Sequence, residues 1–344
     1  MRIGFNTLGM APGFGGGEEI FLRKVLEAIA AQESSADVLV LTDSLNHDSY
    51  SPYERARLKS AKQISKVVAD EELDLVFSPV ANAPHRLPVP LVVLVMDLYE
   101  AESGVSKRKF WAKGNPQRGL RELSEEATML LVSSEFIKRE LLHLYTVPLN
   151  KVTVAPMGVD ACFFEEQRCI VEQPYILAVG KVSPRKNLER LRDAFDSIKD
   201  DIEHTLVIVG QPGDREPKSW GDKVFRIDRL GTTQLAGLYQ HCDFYVCPSL
   251  YEGAGITVLE AFAGQALVCA AKVGGIAEVG GNAPIYFNPE SVDSMIGVLK
   301  RAIGVDASET RRRVQEGKQQ LIDHTWDNCA SKTLSAFRKS LTGH

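Results

Sequence analysis

The stretch YVCPSLYEGAGITVLEAFAGQALVCAAKVGGIAEV, Tyr245 to Val279, passes from strand to loop to helix and back to strand. An apolar run ends at Pro248, a loop carries Glu252, Gly253 and Gly255, and a helical pattern begins near Ile256. Gly264 stops that helix, and a second apolar run follows. Glu252 and Glu260 are eight residues apart, and eight residues of helix turn about 80° beyond two full turns, so even a helix begun at Glu252 would point both carboxylates toward the same side. The N–H groups from Ala254 to Thr257 open the helix, where free amides and the dipole attract phosphate. Glycine there lets a ligand approach the bare backbone.

The same alternation extends in both directions. Ile3–Leu8, Val38–Leu41, Leu73–Phe77, Leu91–Met96, Met129–Val132 and Val152–Ala155 read as strands, with Glu18–Ala31 and Tyr53–Ala69 as helices between them. Asp160 to Pro174 breaks the rhythm and reads as a linker. Strands then resume at Tyr175–Val179, Thr205–Val209, Val224–Ile227, Phe244–Cys247, Leu267–Ala271 and Ile285–Phe287. Strand and helix taking turns means an α/β fold with parallel sheets covered on both faces. Two doubly wound, Rossmann-like domains are expected, 1–165 and 166–324, with a ligand where the carboxyl ends of the sheets converge. From Asp323 to Leu341 the spacing of Trp326, Ala330, Leu334 and Phe337 is helical, and this helix, about 325–344, is expected to pack back on the first domain.

Composition bounds the function. A net charge of −5 on 344 residues argues against general affinity for nucleic acid, local basic patches aside. No apolar run is long enough to span a bilayer and Met1–Gly9 has no signal-peptide character, so a cytoplasmic location is expected. Six cysteines show neither C-x-x-C pairing nor clustered histidines, which gives no support for a metal site or a disulfide framework.

Two further loops carry chemistry. GFGGGEEIFLRKVLEAIA, Gly13 to Ala30, has a glycine cluster before a helix, but Glu18 stands where a dinucleotide fingerprint needs glycine, and Asp43 is the nearest acidic candidate for its ribose contact. A flexible loop and a phosphate or sugar site are equal readings of it. In ILAVGKVSPRKN, Lys181, Arg185 and Lys186 crowd one strand-to-helix turn, which is costly unless they are solvated or given an anion. Beside the Glu252 loop, diphosphate is the better explanation.

With these stretches in view, the chain resembles the family 4 retaining glycosyltransferases, of GT-B fold. YEGAGITVLEAFAGQALVCA is similar to the family's E-x7-E region, VGKVSPRKN to its donor-phosphate turn, APMGVD to the segment before its linker, GGIAEVGG to its G-G-x-P-E-V loop, and GGGEEIFLRKVLEAIA to its first glycine loop and helix. The resemblance implies metal-independent transfer, with retention, of a hexosyl group from a nucleotide-diphosphate sugar, a GDP- or UDP-hexose, to a hydroxyl acceptor in glycan or glycoconjugate synthesis. No cofactor is implied. It places Glu260 on the donor ribose, Glu252 by the donor sugar, and Lys186 and Lys181 on the diphosphate. Gly253, Ala254, Gly255, Ile256 and Thr257 would offer amides, Gly16 and Gly17 would close over the phosphate, and the base would lie near Phe225 to Ile227. Glu252, Lys186 and Asp97 are the catalytic assignments.

Two departures stand out. Met96 precedes Asp97 where the family has histidine, and Lys181 replaces the usual arginine, keeping the charge without the bidentate fork. Met96 makes a catalytically weak sugar-nucleotide-binding protein one alternative; a sugar-nucleotide epimerase or hydrolase on the same scaffold is another. SKRKFWAKGNPQRGLRE, Ser106 to Glu122, fits either a solvated loop or peripheral contact with anionic lipid at the inner membrane face.

Overall fold

Thirteen strands form among the described residues, most of them short runs rich in Val, Ile, Leu and Phe that are buried on both faces. The computed structural model describes residues 1–10, 16–32, 36–80, 83–99, 116–172, 174–213 and 216–342, the side chains of 116–118 excepted. The first sheet contains β1 (Arg2–Asn6), β2 (Asp37–Thr42), β3 (Arg55–Arg57), β4 (Leu75–Pro79), β5 (Leu91–Val95), β6 (Met129–Val132) and β7 (Val152–Val154). Their order is β3-β2-β1-β4-β5-β6-β7. The second sheet contains β8 (Tyr175–Val179), β9 (Thr205–Val209), β10 (Val224–Ile227), β11 (Phe244–Cys247), β12 (Val268–Ala271) and β13 (Ile285–Phe287), in the order β10-β9-β8-β11-β12-β13.

All pairings are parallel, so each sheet presents the carboxyl ends of its strands at one edge. In the second sheet the strand order reverses between β8 and β11, where Phe244 pairs with Ile176 and Tyr245 with Leu177. That register brings the turn after β8 beside the loop after β11. A ligand crevice belongs at such a reversal, because successive helices there leave on opposite faces.

The chain divides into Met1–Gly158 with Trp326–His344, and Val159–Thr325. The division falls at Gly158/Val159, ahead of the expected 165/166. The expected linker is instead part of the second unit: Phe163, 1% exposed, packs its ring 5.9 Å from that of Tyr239. Tyr53–Ala69, expected as one helix, is split. Arg55–Arg57 add an edge strand against Val40–Thr42, and the helical part is confined to a 3-10 turn at Ala61–Gln63 and the α-helix Ile64–Asp70. Edge pairing with β2 outweighs the helical spacing there.

The last helix, Trp326–Thr342, belongs to the first unit. Phe337 meets Phe77 and Phe5 edge-on at centroid distances of 5.2 and 6.2 Å. Cys329, Ala330 and Leu334 are buried on the same side. Phe337→Ala is expected to cost about 3–5 kcal/mol through the cavity it leaves. Leu341→Ala, on the exposed face, should stay within about 0.5 kcal/mol of the parent. Urea unfolding of both variants checks this.

Candidate functional site

The turn after β8 is held from three sides. Val182 N–H donates to the Gln211 carbonyl at 3.0 Å, and Gly180 N–H to that of Val209 at 2.8 Å. A Cβ at Gly210 would lie 2.0 Å from the Gly180 carbonyl oxygen, so only glycine permits this approach. Ser183 accepts from Lys186 N–H and caps the single turn Pro184–Lys186. Asn187 follows at φ +56°, and its Nδ2 donates to the carbonyls of Pro248 at 2.9 Å and Pro289 at 2.8 Å. One buried amide thereby ties the turn to the ends of β11 and β13.

That clamp aims Arg185 and Lys186 at Glu252. Lys186 Nζ lies 2.6 Å from Glu252 Oε1, Arg185 Nη1 lies 3.1 Å from Oε2, and Ser249 Oγ donates to Oε1 at 2.6 Å. Glu252 is 8% exposed. Burial alone would raise its carboxyl, but the charges of Lys186 and Arg185 and the hydrogen bonds from Lys186 and Ser249 hold it down at about 2. Two of the three cations of this turn therefore have a counter-ion inside the protein. Lys181 is exposed and pairs with no described residue. Three cations against one carboxylate leave two positive charges.

The loop beyond Glu252 is compressed by backbone packing. Gly275 N–H donates to the Glu252 carbonyl at 2.7 Å, and a Cβ on Gly275 would sit 2.4 Å from the Gly253 oxygen. Gly255 enters the helix Ile256–Ala263 at φ +68°. The N–H groups of Ala254, Gly255, Ile256 and Thr257 donate to no described residue. One to two turns on, Glu260 accepts from the Tyr239 hydroxyl at 3.2 Å. Burial pushes its carboxyl up to about 8; the Tyr239 bond and Lys186 oppose this, and Asp160 adds to it.

Near the expected base position, the Ile227 carbonyl already accepts from Gly210 N–H at 2.9 Å and Arg226 Nη1 at 3.1 Å. Phe225 is exposed. In the first unit, Gly16 opens its helix at φ +62°, and the Met96 methyl lies 3.4 Å from where a Gly17 Cβ would stand. Met96 is 8% exposed and packs with the core rather than presenting an open side chain. Asp97 is exposed and accepts from Tyr99 N–H at 2.8 Å. Burial, then the charge of Asp97, push Glu18 up to about 7. Asp43 accepts from Gly9 N–H at 2.7 Å and from Leu45 N–H at 2.8 Å, so it anchors the start of the glycine loop. Residues 11–15 of that loop and 106–115 of the basic cluster lie outside the described residues.

The structure thus brings together Lys186, Glu252, the amides of Ala254–Thr257 and Glu260, all in the second unit. Sequence reasoning missed Ser249, Tyr239 and the clamping role of Asn187. An asparagine just after a P-R-K turn is a left-handed-backbone signal, and could have been found. Among the described residues no group of three or more His, Cys, Asp or Glu is placed to hold a metal ion, and no helix is long and apolar enough to cross a membrane.

Residues 163–320 match the family described as glycosyl transferases group 1. The chain is 24% identical over 243 residues to O-antigen chain mannosyltransferase B of Escherichia coli, covering 64% of this chain and 63% of that protein. It is 25% identical over 275 residues to the MMP alpha-(1->4)-mannosyltransferase of Mycolicibacterium hassiacum, covering 74% of this chain and 67% of that one. Among solved structures it is similar to sucrose-phosphate synthase from Thermosynechococcus elongatus, with a TM-score of 0.81 at 16% identity and all of both chains covered. Anabaena HepE in complex with UDP-glucose gives 0.76 at 15% identity, covering 98% of this chain and 100% of that one. The fold is GT-B: two parallel-sheet α/β units with a C-terminal helix returned to the first.

Two outcomes follow from the geometry. Asn187→Ala removes both carbonyl bonds and places alanine at positive φ, for an expected loss of about 2–4 kcal/mol in urea unfolding. Asn187→Gly, free of the backbone strain, should lose about 1 kcal/mol less. The two glutamates also give opposite pH slopes. Between about 2 and the ordinary 4.5 the unfolded chain binds the Glu252 proton and the folded one does not, so stability rises with pH. Between 4.5 and about 8 folded Glu260 keeps a proton that the unfolded chain has lost, so stability falls with rising pH. Glu260→Gln should flatten the second slope and leave the first; unfolding midpoints across pH for parent and variant measure it.

Proposed function

We propose, for a chain whose residues 163–320 form a glycosyl transferases group 1 domain, that the protein is a retaining glycosyltransferase. It moves a hexosyl group from a nucleotide-diphosphate sugar to a hydroxyl acceptor. The observation that carries this reading is Lys186 paired to Glu252, the unbonded amides of Ala254 to Thr257 that follow it into the helix Ile256–Ala263, and Glu260 further along that helix within reach of the Lys186 charge. Cation, helix N-terminus and carboxylate are what a diphosphate and a ribose require. The relatives support the hexosyl class: two are mannosyltransferases by name, and HepE was solved with UDP-glucose. UDP- and GDP-hexoses are the donors to test.

In this reading the diphosphate lies on Lys186, Lys181 and the amides of Gly253 to Thr257, and the ribose hydroxyls on Glu260. Glu252 meets hydroxyls of the donor sugar. The bond between the anomeric carbon and the β-phosphate oxygen breaks with its electron pair left on oxygen, and the sugar passes through an oxocarbenium-like state. Lys186, Lys181 and the helix amides stabilise the charge on the leaving phosphate, which assigns that task to the protein's own groups. The acceptor oxygen bonds the anomeric carbon from the face the phosphate leaves, and its proton passes to water. Gly16, Gly17 and Asp97 are proposed to act with the donor as well, on the family resemblance.

A binding protein without turnover is the second reading, favoured by Met96 in place of histidine. Incubation with UDP- and GDP-hexoses, with and without an acceptor panel, separates the cases. A transferase releases nucleotide in proportion to acceptor, a hydrolase releases it without one, and a silent binder releases none. Lys186→Ala should weaken nucleoside diphosphate binding by about 2–3 kcal/mol, and Lys181→Ala by less. Calorimetric titrations equal to the parent's for both variants would contradict the assignment.

A further inference from the structure

Glu252 occupies the position from which a diphosphate would be judged by its charge. Its carboxylate is fixed at both ends: Ser249, Lys186 and Arg185 hold the oxygens, while Gly275 N–H holds its carbonyl. The Cβ-free contact between Gly275 and Gly253 leaves that backbone no room to retreat. The cations are fixed too. Asn187 locks the turn that carries them, and the Leu250 N–H donates to the Arg185 carbonyl at 2.8 Å. Any phosphate oxygen that reaches Lys186 Nζ therefore arrives close to a permanent negative charge 2.6 Å from the same nitrogen. Like charges in a site of low dielectric repel strongly, and the repulsion scales with the charge brought in.

We infer that Glu252 is a built-in competitor for Lys186 and Arg185 that discriminates the leaving nucleoside diphosphate from the intact donor. The inference rests on the donor-phosphate reading above and gives the same carboxylate a further task. In the donor both phosphates are esterified on each side, and the diphosphate carries two negative charges. Breaking the glycosidic bond leaves the electron pair on the β-phosphate oxygen, so the free diphosphate carries close to three, its last ionisation lying near pH 6. The donor is admitted with two charges against two cations and one fixed anion. The product, with one more, is pushed from the same place. Glu252 thus weakens product retention at the site where Lys186 would otherwise hold it longest.

The test compares parent, Glu252→Gln and Glu252→Asp by calorimetry at pH 7.5 with UDP, GDP, uridine, guanosine and inorganic pyrophosphate. Loss of the competitor should tighten binding of the diphosphate that the parent prefers, and of pyrophosphate, at least tenfold in Glu252→Gln. The neutral nucleoside should change less than twofold. Glu252→Asp, with a shorter reach to Lys186, should fall between parent and glutamine variant, and serves if the glutamine variant does not fold. The gain should shrink as salt rises, because it is electrostatic. A folded variant that binds diphosphate no more tightly than the parent overturns the inference while leaving donor binding intact. A parent that binds neither UDP nor GDP overturns the donor-phosphate reading itself. A gain shared equally by the nucleoside would be reshaping of the pocket, and also overturns the charge account.

Discussion

A carboxylate buried beside two cations is the interaction around which the second unit is organised. Glu252 gives up most of its water, and only the close approach of Lys186 and Arg185, with Ser249 as donor, keeps it ionised. Removing one partner from such a pair leaves an uncompensated buried charge, so the surrounding backbone has to be rigid. The left-handed Asn187, the Gly210 carbonyl approach and the Gly275–Gly253 contact supply that rigidity, each at a point where a larger or differently shaped residue would collide. The β8–β11 register then sets the turn and the loop side by side at the strand-order reversal. Energetics and topology converge on one edge of one sheet.

The two glutamates, eight residues apart, have opposite electrostatics although one short segment carries both. Glu252 sits among cations and is held down; Glu260 is buried with the Tyr239 hydroxyl, from the helix Thr232–His241, as its side-chain hydrogen-bond partner among the described residues, and is pushed up. Tyr239 links this second environment to the core, with its ring 5.1 Å from that of Tyr245. A carboxyl that holds its proton at neutral pH can donate to a ligand oxygen as well as accept, whereas Glu252 can only accept. Unequal roles for the pair were legible from loop and helix placement, but the size and sign of the difference come from neighbours brought in from distant sequence.

How much could be read in advance follows the same division. Most strands of both sheets were visible because continuous apolar runs bounded by glycine and proline have few other uses, and the final helix announced itself through Trp326, Ala330, Leu334 and Phe337. Edge elements were harder: Arg55–Arg57 carry no apolar signal and exist through pairing with β2. The Asp160–Pro174 segment looked like a linker because its charges mask Phe163, whose burial depends on Tyr239 over seventy residues away. The three cations after β8 were recognised as needing an anion, yet nothing local identified Glu252 as that anion. Met96 stands out in the sequence beside Asp97; in the fold it is a packed side chain whose methyl lies 3.4 Å from where a Gly17 Cβ would stand.

The most direct test is a crystal structure of the protein with the nucleoside diphosphate it binds. The account predicts a β-phosphate oxygen within hydrogen-bonding distance of Lys186 Nζ and of at least one amide from Ala254 to Thr257, with the ribose hydroxyls on Glu260. Glu252 should remain paired to Arg185 while sharing or losing Lys186. A diphosphate bound elsewhere, with the Lys186–Glu252 pair undisturbed at its 2.6 Å separation, would contradict it.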